Sequence, residues 1–84
     1  MTLTPEDRTA LRAAVEICDE NDDGHGGGAY YSAIAAKIDT DEEVVLRKLM
    51  PRIAPYFDDE LTGDDGIVVV RRPKERARQL IKDE

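Results

Sequence analysis

The chain has 84 residues, of which 37% are charged and 40% hydrophobic, with a net charge of −7. That length and balance fit a single globular domain with one small core, and exclude a disordered or fibrous chain. A lone cysteine, Cys18, excludes an internal disulfide or a thiolate zinc cluster, and no apolar run approaches the roughly 20 residues of a membrane span. Met1 to Asp7 carries neither the basic nor the apolar stretch of an export signal, so a cytoplasmic protein with no membrane partner is expected.

The acids are 11 Asp and 8 Glu, against 8 Arg and 4 Lys. Such an acidic, lysine-poor chain suits a salt-accumulating, halophilic cell, where carboxylates hold water and salt screens their repulsion; a GC-rich genome would also favour arginine over lysine. The charge is uneven. Residues 1–36 sum to −5 and residues 37–84 to −2, and between Arg71 and Lys82 six bases meet a single acid, Glu75. An anionic partner would meet the C-terminal half.

Thr4-Pro5-Glu6-Asp7 predicts a helix start, with a hydroxyl cap, proline in the first turn and carboxylates at the positive end of the dipole. Leu11, Val15 and Cys18, flanked by Ala14 and Ile17, form one apolar stripe, giving a first helix over about residues 5–20. Asn21 to Gly28 breaks it. A short helix over about residues 33–38 follows, capped by Ser32, with Ile34, Ala35 and Ile38 inward. Thr40 and Glu43 then fit a capping box for a third helix over about residues 41–54, which turns Val45, Leu46, Leu49, Met50 and Ile53 inward. Pro51 should kink that helix or end its regular part, and Pro55 forbids continuation. Thr62 to Gly66 is a turn cluster, Ile67 to Val70 the most strand-like run, and Pro73 opens a last helix over about residues 73–82 with Ala77, Leu80 and Ile81 at helical spacing.

The order helix, short strand, helix, tight turn, helix, hairpin, helix resembles a winged helix-turn-helix domain. The match is carried by the run from Tyr31 to Leu49, with Ile34, Ala35, Ile38, Val45 and Leu49 at the family's apolar positions. Tyr30-Tyr31 would be the short first strand that pairs with the hairpin, and residues 56–71 the wing, with its tip at Gly63 to Gly66. The resemblance covers nearly the whole chain. It implies an α+β, mostly helical fold: a three-helix core, a small antiparallel β-hairpin wing and a C-terminal helix, in one domain spanning residues 1–84. It also implies a small transcriptional regulator that binds double-stranded DNA, needs no cofactor, has no catalytic or metal residues, and forms a homodimer through its C-terminal helix.

On that resemblance the third helix presents Glu42, Glu43, Val44, Arg47 and Lys48 outward. Arg47 has the planar fork that suits guanine, and Lys48 would meet phosphate. Arg52, Arg71 and Arg72 would anchor the DNA backbone, with Lys37 doing so from the second helix. The DNA-binding set is thus Lys37, Val44, Arg47, Lys48, Arg52, Arg71 and Arg72; the alternative is a solvated face paired with nearby carboxylates. The chain departs from the family where Asp39 replaces a common turn glycine, where Asp41-Glu42-Glu43 opens the third helix, and where Asp64-Asp65 occupies the wing tip. Those acids, beside Val44, leave open a winged-helix module that binds protein rather than DNA.

Three smaller motifs carry weaker chemistry. Asp19-Glu20-Asn21-Asp22-Asp23-Gly24 matches the opening of a calcium loop, but its twelfth position is Tyr30 instead of glutamate, so an acidic loop after a helix is the alternative. His25 has no second histidine or thiol with which to bind a metal, and reads as a surface loop residue. Cys18, on the apolar stripe, reads as a small buried hydrophobe and not a nucleophile. No phosphate-binding glycine loop or nucleophile elbow is present, so the chain is not expected to be an enzyme.

Overall fold

The computed structural model describes residues 3–21 and 28–82. Helix α1 (Pro5–Glu20) opens on a reciprocal cap: the Thr4 hydroxyl accepts from the Asp7 backbone N–H at 3.1 Å, and the Asp7 carboxylate accepts from the Thr4 N–H at 3.1 Å. Two backbone donors that the first turn leaves without helical partners are thereby satisfied. The expected stripe of Leu11, Ala14, Val15, Ile17 and Cys18 is buried.

Strand β1 (Gly28–Tyr30) runs directly into α2 (Tyr31–Ile38). The helix therefore begins two residues before the expected Ala33, and Ser32 lies inside it. Tyr30 is the cap, with no side-chain hydrogen bond; it is already extended as the last strand residue, so the chain needs no hydroxyl to enter the helix. At the far end Asp39 takes a left-handed φ of 55°, and its N–H bonds to the Ala35 carbonyl. Aspartate is one of the few side chains that tolerate this conformation, which explains how the turn forms without glycine.

The third helical segment, α3, changes pitch along its length: α-helical over Glu42–Val44, π-helical over Val45–Leu49, α-helical again over Met50–Ile53, and 3-10 over Ala54–Tyr56. Its cap is Asp41, not Thr40. The Asp41 carboxylate accepts from the Glu43 N–H at 2.8 Å, so the box expected between Thr40 and Glu43 does not form. The effect of Pro51 is felt upstream. Met50 donates to Val45, five residues back, in a wide turn placed where the proline ring would otherwise crowd a carbonyl of the preceding turn. Val45, Leu46, Leu49, Met50 and Ile53 all point into the core, as their spacing predicts.

Strands β2 (Phe57–Gly63) and β3 (Gly66–Pro73) form an antiparallel hairpin, and β1 pairs with the other side of β3, giving the order β1-β3-β2. Asp64 and Asp65 turn the chain, while Gly66 supplies the positive φ of 138°. A Cβ built on Gly66 would lie 3.5 Å from the Leu46 carbonyl oxygen, so the hairpin tip rests against α3. Pro73 ends β3 opposite Phe57, where no ladder donor is required, and does not open the last helix. Helix α4 (Glu75–Lys82) starts two residues later, after Lys74 donates its N–H to the Tyr56 carbonyl at 2.8 Å.

The result is a small α+β domain of four helices and a three-stranded antiparallel sheet among the described residues. Leu11, Ile34, Val45, Met50, Ile53 and Val70 are its fully buried centre. Ala77 is buried with them, and Leu80 and Ile81 pack half-covered on the same core, so the apolar side of α4 is engaged within its own chain. No helix among the described residues is long and apolar enough to cross a membrane. Because Asp39 is held left-handed, Asp39→Gly removes a steric penalty and should stabilise the domain by up to about 1 kcal/mol, read as a higher urea midpoint at unchanged m-value.

Candidate nucleic-acid interface

Asp7 is the only buried charged side chain among the described residues. Its carboxylate accepts from the Thr4 N–H and, at 2.6 Å, from Nε of Arg52 at the end of α3. Burial works to raise its pKa, but the hydrogen bonds from Thr4 and Arg52 and the arginine's charge outweigh it, and the carboxyl sits below its ordinary value. The pair brings the start of α1 against the last turns of α3. Between them lies a cleft of about 410 Å³ lined by Thr4, Glu6, Asp7, Arg47, Lys48, Leu49 and Arg52.

Three of the predicted DNA contacts, Arg47, Lys48 and Arg52, thus line one cleft. The Arg47 side chain is 64% exposed and has a loose i,i+4 bridge to Glu43 at 3.6 Å. Lys48 is exposed, and the Arg52 side chain keeps 43% of its surface in solvent despite its bond to Asp7. Val44 is half-buried and does not line the cleft.

The other predicted contacts lie elsewhere. Lys37 turns to α1, bridging Glu20 at 3.2 Å and Glu16 at 3.4 Å, and the hydrogen bond to Glu20 raises its pKa. Arg71 is ion-paired with Asp59 across the hairpin, leaving its buried Nε without a partner. Arg72 is exposed near the end of β3 with a left-handed φ of 58°. For Lys37 and Arg71, pairing with carboxylates is what the structure shows. The hairpin tip next to Asp64 and Asp65 meets α3 at Leu46, one turn beyond Glu42 and Glu43, and all four acids are exposed.

Two residues matter here through partners that the sequence does not indicate. Asp7 reads as an ordinary first-turn acid, and nothing in its local pattern reveals a partner 45 positions away. Arg76 stands in the basic run before Lys82 without distinction from its neighbours. In the structure its Nη2 donates to the Pro55 carbonyl at 2.6 Å and its guanidinium lies 5.1 Å from the Tyr56 ring centroid. It lines a second cleft, of about 210 Å³, with Leu3, Arg52, Pro55 and Tyr56. Arg78, by contrast, is occupied by a two-pronged bond to Asp19 at 2.8 and 3.1 Å, which lowers the carboxyl's pKa.

That bond also bears on the calcium motif, since Asp19, its first position, gives both oxygens to Arg78. Asp22, Asp23, Gly24 and His25 lie outside the described residues. Among the described residues no group of three or more His, Cys, Asp or Glu is placed to hold a metal ion. Cys18 is buried, its Sγ 3.5 Å from the Val70 carbonyl oxygen, and burial together with the Asp19 charge pushes its thiol up to about 11. It therefore stays protonated at neutral pH, in keeping with a packing role.

The chain matches no protein-family model, no curated protein and no solved structure.

Asp7→Ala should cost about 2–3 kcal/mol, because it removes a charge-assisted bond and half of the helix cap together. With its folded pKa depressed, Asp7 contributes stability above the ordinary aspartate value of 3.8 and loses it as pH falls from there through the folded value. Urea denaturation across acid pH should show stability falling in this window for the wild type and less steeply for Asp7→Ala.

Proposed function

We propose that this chain is a winged helix-turn-helix domain that binds double-stranded DNA as a small transcriptional regulator. The element order supports it, as do the tight turn between α2 and α3 and the pairing of β1 with the hairpin. The observation that carries it is the convergence of Arg47, Lys48 and Arg52 on one exposed cleft along α3, in a chain whose net charge is −7. Net charge does not decide contact with a polyanion; the local patch does.

In this mechanism the exposed side of α3 enters the major groove. Arg47 exchanges its weak bridge to Glu43 for a two-pronged bond to guanine, while Lys48 and Arg52 hold phosphates of the adjoining backbone. The bond to Asp7 fixes the direction of Arg52 before DNA arrives. Lys37 and Arg71, already paired, and Arg72, outside the cleft, do not belong to the contact set. Two copies reading two half-sites would join through α4, where Leu80 and Ile81 are only half covered. Such a protein works in the cytoplasm and needs neither cofactor nor catalytic group.

A second function is favoured by one specific observation. The hairpin tip, with Asp64 and Asp65 exposed, meets at Leu46 the helix that exposed Glu42 and Glu43 open, and Leu61 on the same hairpin is 50% exposed, features that suit a basic protein partner better than DNA. Fluorescence anisotropy with labelled duplex DNA over a potassium chloride series separates the two. DNA binding requires affinity that falls as salt rises and disappears in Arg47→Glu. Absence of wild-type binding at every salt at which the protein is folded would transfer the function to the acidic face.

A further inference from the structure

Arg52 is a wall of both clefts: the one between α1 and α3, and the second, which is lined also by Leu3, Pro55, Tyr56 and Arg76. Building on the DNA-binding function above, we propose that the two clefts form one phosphate-tracking groove, with a DNA strand's backbone running along Lys48, Arg52 and Arg76 while the hairpin tip stands away from the duplex.

Charge is the first support. Arg47, Lys48, Arg52 and Arg76 face two carboxylates, Glu6 and Asp7, along the two clefts. Asp7 is already satisfied by Arg52 and the Thr4 N–H, which leaves Glu6 as the carboxylate an incoming phosphate would meet. The groove is therefore positive although the chain is at −7.

Preorganisation is the second. Arg76 is held by the Pro55 carbonyl and the Tyr56 ring, and Arg52 by Asp7, so both guanidiniums are oriented before a ligand arrives. Less side-chain entropy is then lost on binding. Lys48 is exposed and makes no ion pair among the described residues, leaving its ammonium free for an anion.

The hairpin has the opposite character. Its tip is Asp64-Asp65, both exposed, and the strand base offers Arg71 already tied to Asp59. A phosphate brought to that tip would be repelled. The backbone must then follow the helical side, from the exposed turn of α3 toward the start of α4.

The test is the slope of log affinity against log potassium chloride for a labelled duplex. Lys48→Ala and Arg76→Ala should each reduce the slope by about 1, and the double variant by about 2. Arg76→Lys, which keeps the charge, should retain it. Arg72→Gly and Lys82→Ala each remove one charge outside the groove and should leave the slope unchanged. Lys48 has no ion-pair partner to lose among the described residues, so its variant tests the groove even where Arg76→Ala perturbs packing. Wild-type binding with slope losses equal in both sets, or confined to Arg72 and Lys82, overturns the groove and leaves DNA binding standing. A wild type with no salt-dependent binding overturns both.

Discussion

A carboxylate buried at the first turn of α1 governs how this domain is put together. Taking Asp7 out of water is costly unless its lone pairs are met, and here a backbone N–H and an arginine meet them. The second partner comes from the far end of α3, so satisfying one charge also fixes two helices against each other. The consequences are unequal. Arg52 keeps 43% of its side chain exposed and can turn to water if Asp7 is lost, whereas Asp7 without Arg52 would be a buried charge held by its cap alone. The α1–α3 junction thus depends on the acid's need for a partner more than on the base's.

The same economy of charge decides which bases remain open. Lys37, Arg71 and Arg78 are each drawn to a carboxylate on another element, joining α2 to α1, β3 to β2, and α4 to α1. Exposed pairs of this kind add little to stability, and salt weakens them further. Their larger effect is on availability, because a guanidinium bound on two prongs offers little to a ligand. What is left for an anion concentrates where α1, α3 and α4 approach one another. The hairpin tip and the start of α3 hold acid in excess.

Much of the architecture was legible because it rests on local periodicity. The bounds of α1 follow from Thr4-Pro5 and the stripe ending at Cys18, and the inward face of α3 follows from Val45, Leu46, Leu49, Met50 and Ile53. The errors lie at element ends, where neighbouring structure competes with local preference. Pro73 suits a first helical turn and a strand end equally well, and its pairing opposite Phe57 decides for the strand. Thr40 and Asp41 are both good caps, and the extended backbone at Asp41 decides between them. Ser32 was passed over because β1 delivers the chain already extended at Tyr30.

The site was legible only in part. Arg47 and Lys48 were readable as outward positions of one helix, and Arg52, four beyond Lys48, shares its face. The ion pairs of Lys37 and Arg71 were not legible, because partners such as Glu20 and Asp59 are set by how helices and strands meet, which no local pattern encodes. The partner of Asp7 and the seat of Arg76 against Pro55 and Tyr56 were hidden for the same reason. The central claim is that the face between α1 and α3 contacts DNA. Its most direct measurement is an NMR titration of the folded chain with duplex DNA, followed by amide shifts. Movements concentrated at residues 47–52 and 4–8, with residues 62–66 undisturbed, are the predicted result. Movements centred on residues 62–66 and 42–44, or none at all, would contradict it.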